Sequence, residues 1–391
     1  MSQRLISRSP DLKRLQDEGY EVEVRSSHLL IGHVPFRNAE GETAFGTLVS
    51  TLELQNDVAM KPQDHVAHFV GGIPYGPDGQ KLSKIIHSES PQTLFGDVVS
   101  ACSFSSKPRD GYSDCHHKMT TYVRMISEPA RAVDPSVTAT TYPVITDDGE
   151  ESDFRYVDTA SSRAGISALT EKLKVGRVAI VGLGGTGSYV LDFIAKTPVD
   201  EIHLFDGDDF LQHNAFRSPG APSGEELAEH PKKVEHFARL YSRMRRGIVA
   251  HPYDIVEGNI DELRAMEFVF VTAESSAAKA LIPRRIIELG VPFIDVGMGL
   301  YEEGGGLGGV LRTTTITPER SAHLATRISS GGGAADDPYV QNIQIAELNA
   351  LNAALAVIKW KKLWGFYRDE ECEHNCLYVI GGNTLINGEA A

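Results

Sequence analysis

Four glycines crowd into Val178-Ala-Ile-Val-Gly-Leu-Gly-Gly-Thr-Gly-Ser188 directly after an apolar run, and a second apolar run, Ile202-His-Leu-Phe205, ends in Asp206. Without Cβ atoms, glycines let backbone amides approach phosphate at the start of a helix, where unpaired N–H groups and the helix dipole attract anions. Gly182, Gly184, Gly185 and Gly187 are therefore the candidate phosphate loop, and Asp206 the candidate acceptor for ribose hydroxyls. Glycines and acid alone fit a nicotinamide or flavin enzyme equally well. Asn214 and Arg217 shift that balance: they follow Asp206 at set spacing and supply polar side chains suited to a nucleoside triphosphate.

Gly182-x-Gly-Gly-x-Gly187, Asp206, Asn214-x-x-Arg217, Pro231-Lys-Lys-Val234 and Val269-Phe-Val-Thr-Ala-Glu274 occur in one order. By these motifs the C-terminal part of the chain resembles the adenylation domain of the ThiF, MoeB and ubiquitin-activating superfamily. The resemblance implies ATP and Mg2+ as cofactors. It assigns Lys233 to neutralising charge that builds on the phosphates during acyl-adenylate formation, and leaves Lys232 as an exposed helix residue. It makes Glu274 a magnesium ligand, where the family usually has aspartate; the extra methylene moves the carboxylate by about an ångström, which octahedral magnesium tolerates poorly. Arg163, in Thr159-Ala-Ser-Ser-Arg-Ala-Gly165, stands where many relatives carry an arginine reaching the triphosphate of the other subunit, which implies a homodimer through the adenylation domains.

The N-terminal part resembles an uncharacterised module fused to such domains in bacterial ubiquitin-like conjugation operons. The implied function is ATP-dependent adenylation of the C-terminal carboxylate of a ubiquitin-like protein, with that protein and a conjugating-enzyme-like protein as partners. Sulfur-carrier activation by the same chemistry and a noncatalytic adenylation-like scaffold remain open beside it. Many superfamily members also carry a cysteine after the strand that corresponds to Ile294-Asp-Val-Gly-Met-Gly-Leu300, to capture the acyl group as a thioester. From Tyr301 to Val340 this sequence has Thr313-Thr-Thr315, Thr317, Ser321, Thr326, Ser329 and Ser330 but no cysteine. Direct transfer from the adenylate is the expectation; an oxyester on Ser321 with His323 as base, and a distant cysteine such as Cys376, are the other routes.

These residues need a scaffold, and the pattern supplies an α/β one. Short apolar strands at Val178–Val181, Ile202–Phe205, Val269–Val271 and Phe293–Val296 alternate with helices expected at Tyr189–Lys196, Pro231–Met244, Ala277–Glu288 and Asn342–Trp364. This is the signature of a doubly wound, Rossmann-like parallel sheet. Before it, Ser9-Pro10 opens a short helix, and Val22–Val24, Leu29–Ile31, Thr47–Val49 and Thr51–Leu54 read as strands of a β-rich α+β module. The Thr-, Asp- and Gly-rich stretch through Asp153 sets the boundary, giving a partner-binding module at 1–153 and an adenylation domain at 154–391.

Cys115-His-His117 invites a catalytic reading, but on a strand neighbouring side chains face opposite sides and a buried structural cysteine is the plainer account. His65 and His68 read as satisfied strand or loop histidines. Cys102, Cys115, Cys372 and Cys376 are too few and too scattered for a disulfide framework, and the chain lacks the paired Cys-x-x-Cys elements of a zinc site. A formal net charge of −15 opposes nucleic acid and anionic membrane as partners. With no apolar run of membrane-spanning length and no secretory core at Met1-Ser-Gln-Arg-Leu-Ile, the expected compartment is the cytoplasm.

Overall fold

Two compact units make up the chain, Met1–Ile145 and Thr146–Ala391. The computed structural model describes residues 2–146, 152–273, 276–328 and 343–388. The sequence break before Phe154 falls inside the second unit because the residues just before it already pair there: Arg246 N–H donates to Asp153 O (2.8 Å) and the Arg246 guanidinium to Ser152 O (2.8 Å).

In the first unit six antiparallel strands stand in the order Val22–Arg25, His28–Arg37, Thr43–Thr51, Val66–Val70, Cys102–Ser105, Ile86–Ser88. The two strands expected at 47–49 and 51–54 are one strand, Thr43–Thr51, with Leu54–Gln55 in a separate short pair. Helix Pro10–Asp17 begins where Ser9-Pro10 places it, yet Ser9 does not cap it; its hydroxyl accepts Ala59 N–H at 2.8 Å.

Cys115-His-His117 is not on a strand. It opens a 19-residue helix, Cys115–Val133, whose Asp114 carboxylate accepts His117 N–H at 2.7 Å. Met119, Tyr122, Val123, Ile126 and Ala130 are buried along one helical face and pack with Leu29, Ile31, Phe36, Leu48, Phe69 and Phe104 of the sheet. That spacing is present in the sequence; Pro129 and the neighbouring Cys and His residues hide it. Burial pushes the Cys115 and Cys102 thiols up to about 12, which removes the thiolate a nucleophile needs.

The second unit is built on an eight-stranded sheet. Its strands and longer helices are β1 (Arg177–Val181), α1 (Gly185–Ile194), β2 (Glu201–Phe205), α2 (Lys233–Tyr241), β3 (Ile248–His251), β4 (Phe268–Val271), α3 (Ser276–Leu289), β5 (Phe293–Glu303), β6 (Gly306–Ile316), α4 (Ala346–Leu363), β7 (Asn375–Val379) and β8 (Thr384–Gly388). The order is β3-β2-β1-β4-β5-β6-β7-β8, parallel from β3 through β5 and antiparallel beyond. Alternate residues of each buried strand feed opposite cores. Val178, Ile180, Leu204 and Phe270 meet Val190, Phe237 and Trp360 of α1, α2 and α4. Ala179, Val181, Phe205 and Val271 meet Ile282 and Ile286 of α3 and Leu263.

The antiparallel half has no counterpart among the strands expected from the sequence: β5 runs past Val296 to Glu303 and turns at Gly304-Gly305 into β6. Asp147–Glu151, Ser329, Ser330, Gly331–Gly333 and Asn342 lie outside the described residues. No described helix is long and apolar enough to cross a membrane.

Candidate nucleotide site

The glycines after β1 do different work. Gly182 has φ of +94°, in the left-handed region, and a Cβ there would sit 2.7 Å from Ala273 N. Its own N–H donates to Phe205 O at 2.8 Å, so the loop is fastened to the end of β2. A Cβ at Gly187 would run into Gly182 O, and one at Gly185 into the Asn349 side chain; both glycines let α1 pack tightly on the loop and on α4. Of the four, only Gly184 has nothing among the described residues within 4 Å of a built Cβ. The helix it precedes carries no side-chain cap, so the N–H groups of its first turn have no partner within the helix.

Asp206 is buried at the end of β2. Its Oδ2 accepts Leu183 N–H at 2.6 Å and its Oδ1 accepts Asp208 N–H at 2.9 Å. The carboxylate expected to face ribose is thus also the clasp between loop and strand. Lys233, the first residue of α2, reaches back to it: Nζ lies 3.3 Å from Asp206 Oδ1 and 2.6 Å from Asp208 Oδ2. The neighbouring Lys232 bonds Gly207 O and pairs with Asp209 on the surface. Asn214 is buried and its Oδ1 accepts Leu211 N–H at 2.9 Å, closing the turn that ends in Arg217. The Nε of Arg217 is buried, and among the described residues no atom accepts from it.

Asn349 of α4 links these parts, accepting from Thr186 Oγ1 at 3.0 Å and donating to Arg217 O at 3.4 Å. Asn349 and Asn352, three residues apart in this Ala- and Leu-rich helix and both essentially without solvent exposure, are site residues that the sequence motifs do not mark. Asp208 was passed over too, although it lies in the acidic run Asp206-Gly-Asp-Asp209. Arg163 is exposed at the end of helix Thr159–Arg163. Glu274 lies outside the described residues. No group of three or more His, Cys, Asp or Glu among the described residues is placed to hold a metal ion.

The hydroxyls considered for an acyl intermediate are mostly structural. Thr313, Thr314 and Thr315 are buried in β6, the first bonded to Asn352 and the second to Asn375. His323 is buried and its Nε2 meets Thr315 O at 2.9 Å. That nitrogen must carry the proton, which leaves Nδ1 as the acceptor of the neutral ring. Cys376 is buried on β7 opposite Thr313, and burial pushes its thiol up.

Residues 159–347 match the ThiF family, and residues 10–159 match DUF6791, a domain of unknown function. No curated protein matches the chain. Among solved structures, E. coli MccB with MccA-N7isoASN is 16% identical at a TM-score of 0.47, over 59% of this chain and 72% of that one. E. coli MccB with ATP is 16% identical at 0.45, over 59% and 71%, and selenomethionine PaaA is 15% identical at 0.44, over 57% and 75%.

Proposed function

Because residues 159–347 form a ThiF-family domain, we propose that this chain binds ATP at the glycine loop and adenylates the C-terminal carboxylate of a ubiquitin-like protein, for transfer to a conjugating partner or target. The observation that carries the reading is that Asp206 and Asn349 tie together three anion-seeking groups: the uncapped start of α1 after Gly184, Arg217, whose Nε has no acceptor among the described residues, and Lys233. A dinucleotide enzyme needs only the first of these.

In the proposed reaction a carboxylate oxygen of the substrate attacks the α-phosphorus of ATP, the bond to the β-phosphate oxygen breaks, and pyrophosphate leaves. The α1 amides and Arg217 would hold the phosphates, and Lys233 would meet the charge that builds as pyrophosphate departs. Magnesium would be held chiefly by the nucleotide's own phosphates, with Glu274 as the expected protein ligand. Arg163 would act on the triphosphate of a second subunit, so the active species would be a homodimer. The first unit would recruit the ubiquitin-like protein or its conjugating partner.

Incorporation of labelled pyrophosphate into ATP, dependent on a purified ubiquitin-like protein ending in glycine, tests this directly. Exchange driven by a sulfur carrier or a small carboxylate would reassign the substrate, and nucleotide binding without exchange would leave a noncatalytic scaffold. With three thiols raised by burial, no adduct sensitive to thiol reductants should accumulate; one that disappears in Cys376→Ala would overturn direct transfer.

A further inference from the structure

A row of polar side chains crosses the outer strands beside the glycine loop. Arg177 Nε donates to Glu201 Oε2 (2.8 Å), which lies 3.2 Å from His203 Nε2. His203 Nδ1 meets His251 Nε2 at 3.0 Å, His251 Nδ1 meets the Tyr253 hydroxyl at 3.0 Å, and that hydroxyl donates to Glu262 Oε2 at 2.9 Å. Phe205 stacks on His251 with ring centroids 4.1 Å apart. The next residue, Asp254, leaves the row: its Oδ1 accepts Gly207 N–H at 2.9 Å, while its carbonyl accepts from Asn259 Nδ2 at 3.0 Å. Gly207 sits between Asp206 and Asp208, the two carboxylates on Lys233.

From Glu201 to Glu262 there are four contacts, and each needs one hydrogen. Two neutral imidazoles and one phenol supply three. The complete row therefore holds one proton more than its neutral groups carry. Charged groups face it from every element around it: Arg177 from β1, Glu201 from β2, and Glu262 from the segment Ile260–Ala265. The carboxylates at both ends favour the added proton. Burial and the neighbouring His203 hold His251 below the usual histidine range.

We propose that Asp254 is a positioning residue for nucleotide binding, fixing the Gly207 turn that aims Asp206 and Asp208, and that the row from Glu201 to Glu262 braces it only while the extra proton is present. The inference rests on the reading that ATP binds at the glycine loop. The brace is complete at low pH and loses one link as pH rises and the proton leaves.

Calorimetric titration of the full chain with the ATP analogue AMPCPP, from about pH 6 to about pH 8.5 to span histidine titration, tests it. Asp254→Ala should weaken binding about tenfold with the melting temperature unchanged, and Asp254→Asn, which keeps the acceptor for Gly207, should restore it. Tyr253→Phe leaves two contacts for two neutral imidazoles, so no extra proton is needed. Its affinity should accordingly fall less steeply with pH than that of the wild type. In ¹⁵N spectra of the histidines at about pH 6, one doubly protonated ring of the wild type should be missing in Tyr253→Phe. Wild-type affinity in Asp254→Ala, or identical pH slopes and ring spectra in wild type and Tyr253→Phe, would overturn the inference. A wild-type protein that fails to bind AMPCPP would instead remove the nucleotide reading, and the positioning role with it.

Discussion

Arg217 is the side chain whose environment most plainly asks for a ligand. A buried guanidinium nitrogen without an acceptor costs free energy that an arriving phosphate oxygen would return. A hydrogen bond to a charged group is worth about 1.5–3 kcal/mol, so Arg217→Ala should raise the dissociation constant for AMPCPP roughly 10- to 100-fold. Because no described partner loses a bond, the melting temperature should hold. Unchanged affinity in a calorimetric titration would place the phosphates elsewhere. Arg217 was legible in the sequence because it stands behind Asn214 at a fixed interval. The division of labour between them was not: Asn214 spends its oxygen on Leu211 N–H, so it shapes the turn, and only the folded turn reveals which side chain remains unpaired.

At the scale of the element, the glycine loop separates folding from binding. Gly187→Ala drives a methyl into Gly182 O, a backbone atom that cannot step aside. Overpacking of this kind costs about 1–3 kcal/mol, and here the upper end applies. Gly184→Ala meets nothing and keeps an ordinary φ of −70°. Thermal unfolding should therefore drop sharply for Gly187→Ala and stay put for Gly184→Ala, while AMPCPP binding falls in both. A Gly184→Ala protein that binds as well as wild type would move the ligand off that opening.

The corner after α4 behaves differently, being held by charge. Lys359 and Lys362 bond Asp369 and Glu373 at 2.7–3.2 Å, with a fourth contact from Lys359 to Glu373 at 3.6 Å. Burial alone would raise the Asp369 carboxyl, but the hydrogen bond and charge of Lys359 outweigh it and hold the group at about 2. Its unfolded value is about 3.9, so its contribution is present above that pH and is lost as pH falls toward 2. After solvent screening this amounts to about 1–2 kcal/mol. Asp369→Asn should be less stable than wild type at neutral pH, and the gap should close between about pH 4 and pH 2; a constant gap would rule out the linkage.

Four of the five parallel strands were readable as short apolar runs, while β3 (Ile248–His251) was not expected. β6 to β8 were not expected either: the β-branched run Thr313-Thr-Thr315 suits a strand, but only the folded sheet shows two of its hydroxyls bonded to Asn352 and Asn375.

Over the whole molecule, each buried apolar cluster stays within one unit. Leu29, Phe69 and Tyr122 close the core of the first, and the two faces of the eight-stranded sheet close those of the second. Among the described residues, the groups proposed for nucleotide binding all lie between Arg163 and Asn349, inside the second unit. A 246-residue unit is large enough to bury its own core. Residues 146–391 expressed alone should consequently fold with a single cooperative transition and bind AMPCPP within about threefold of the full chain. If the first unit recruits the protein substrate, the same fragment should lose pyrophosphate exchange driven by a ubiquitin-like protein while retaining nucleotide affinity. Adding residues 1–145 in trans need not restore exchange, because a tether raises local concentration in a way that free mixing does not. A fragment that still exchanges at the full rate would free the first unit from substrate recruitment and assign it to a later step. A fragment that folds but fails to bind AMPCPP would show that the nucleotide site draws on residues before Thr146, and the proposed site would have to be redrawn to include them.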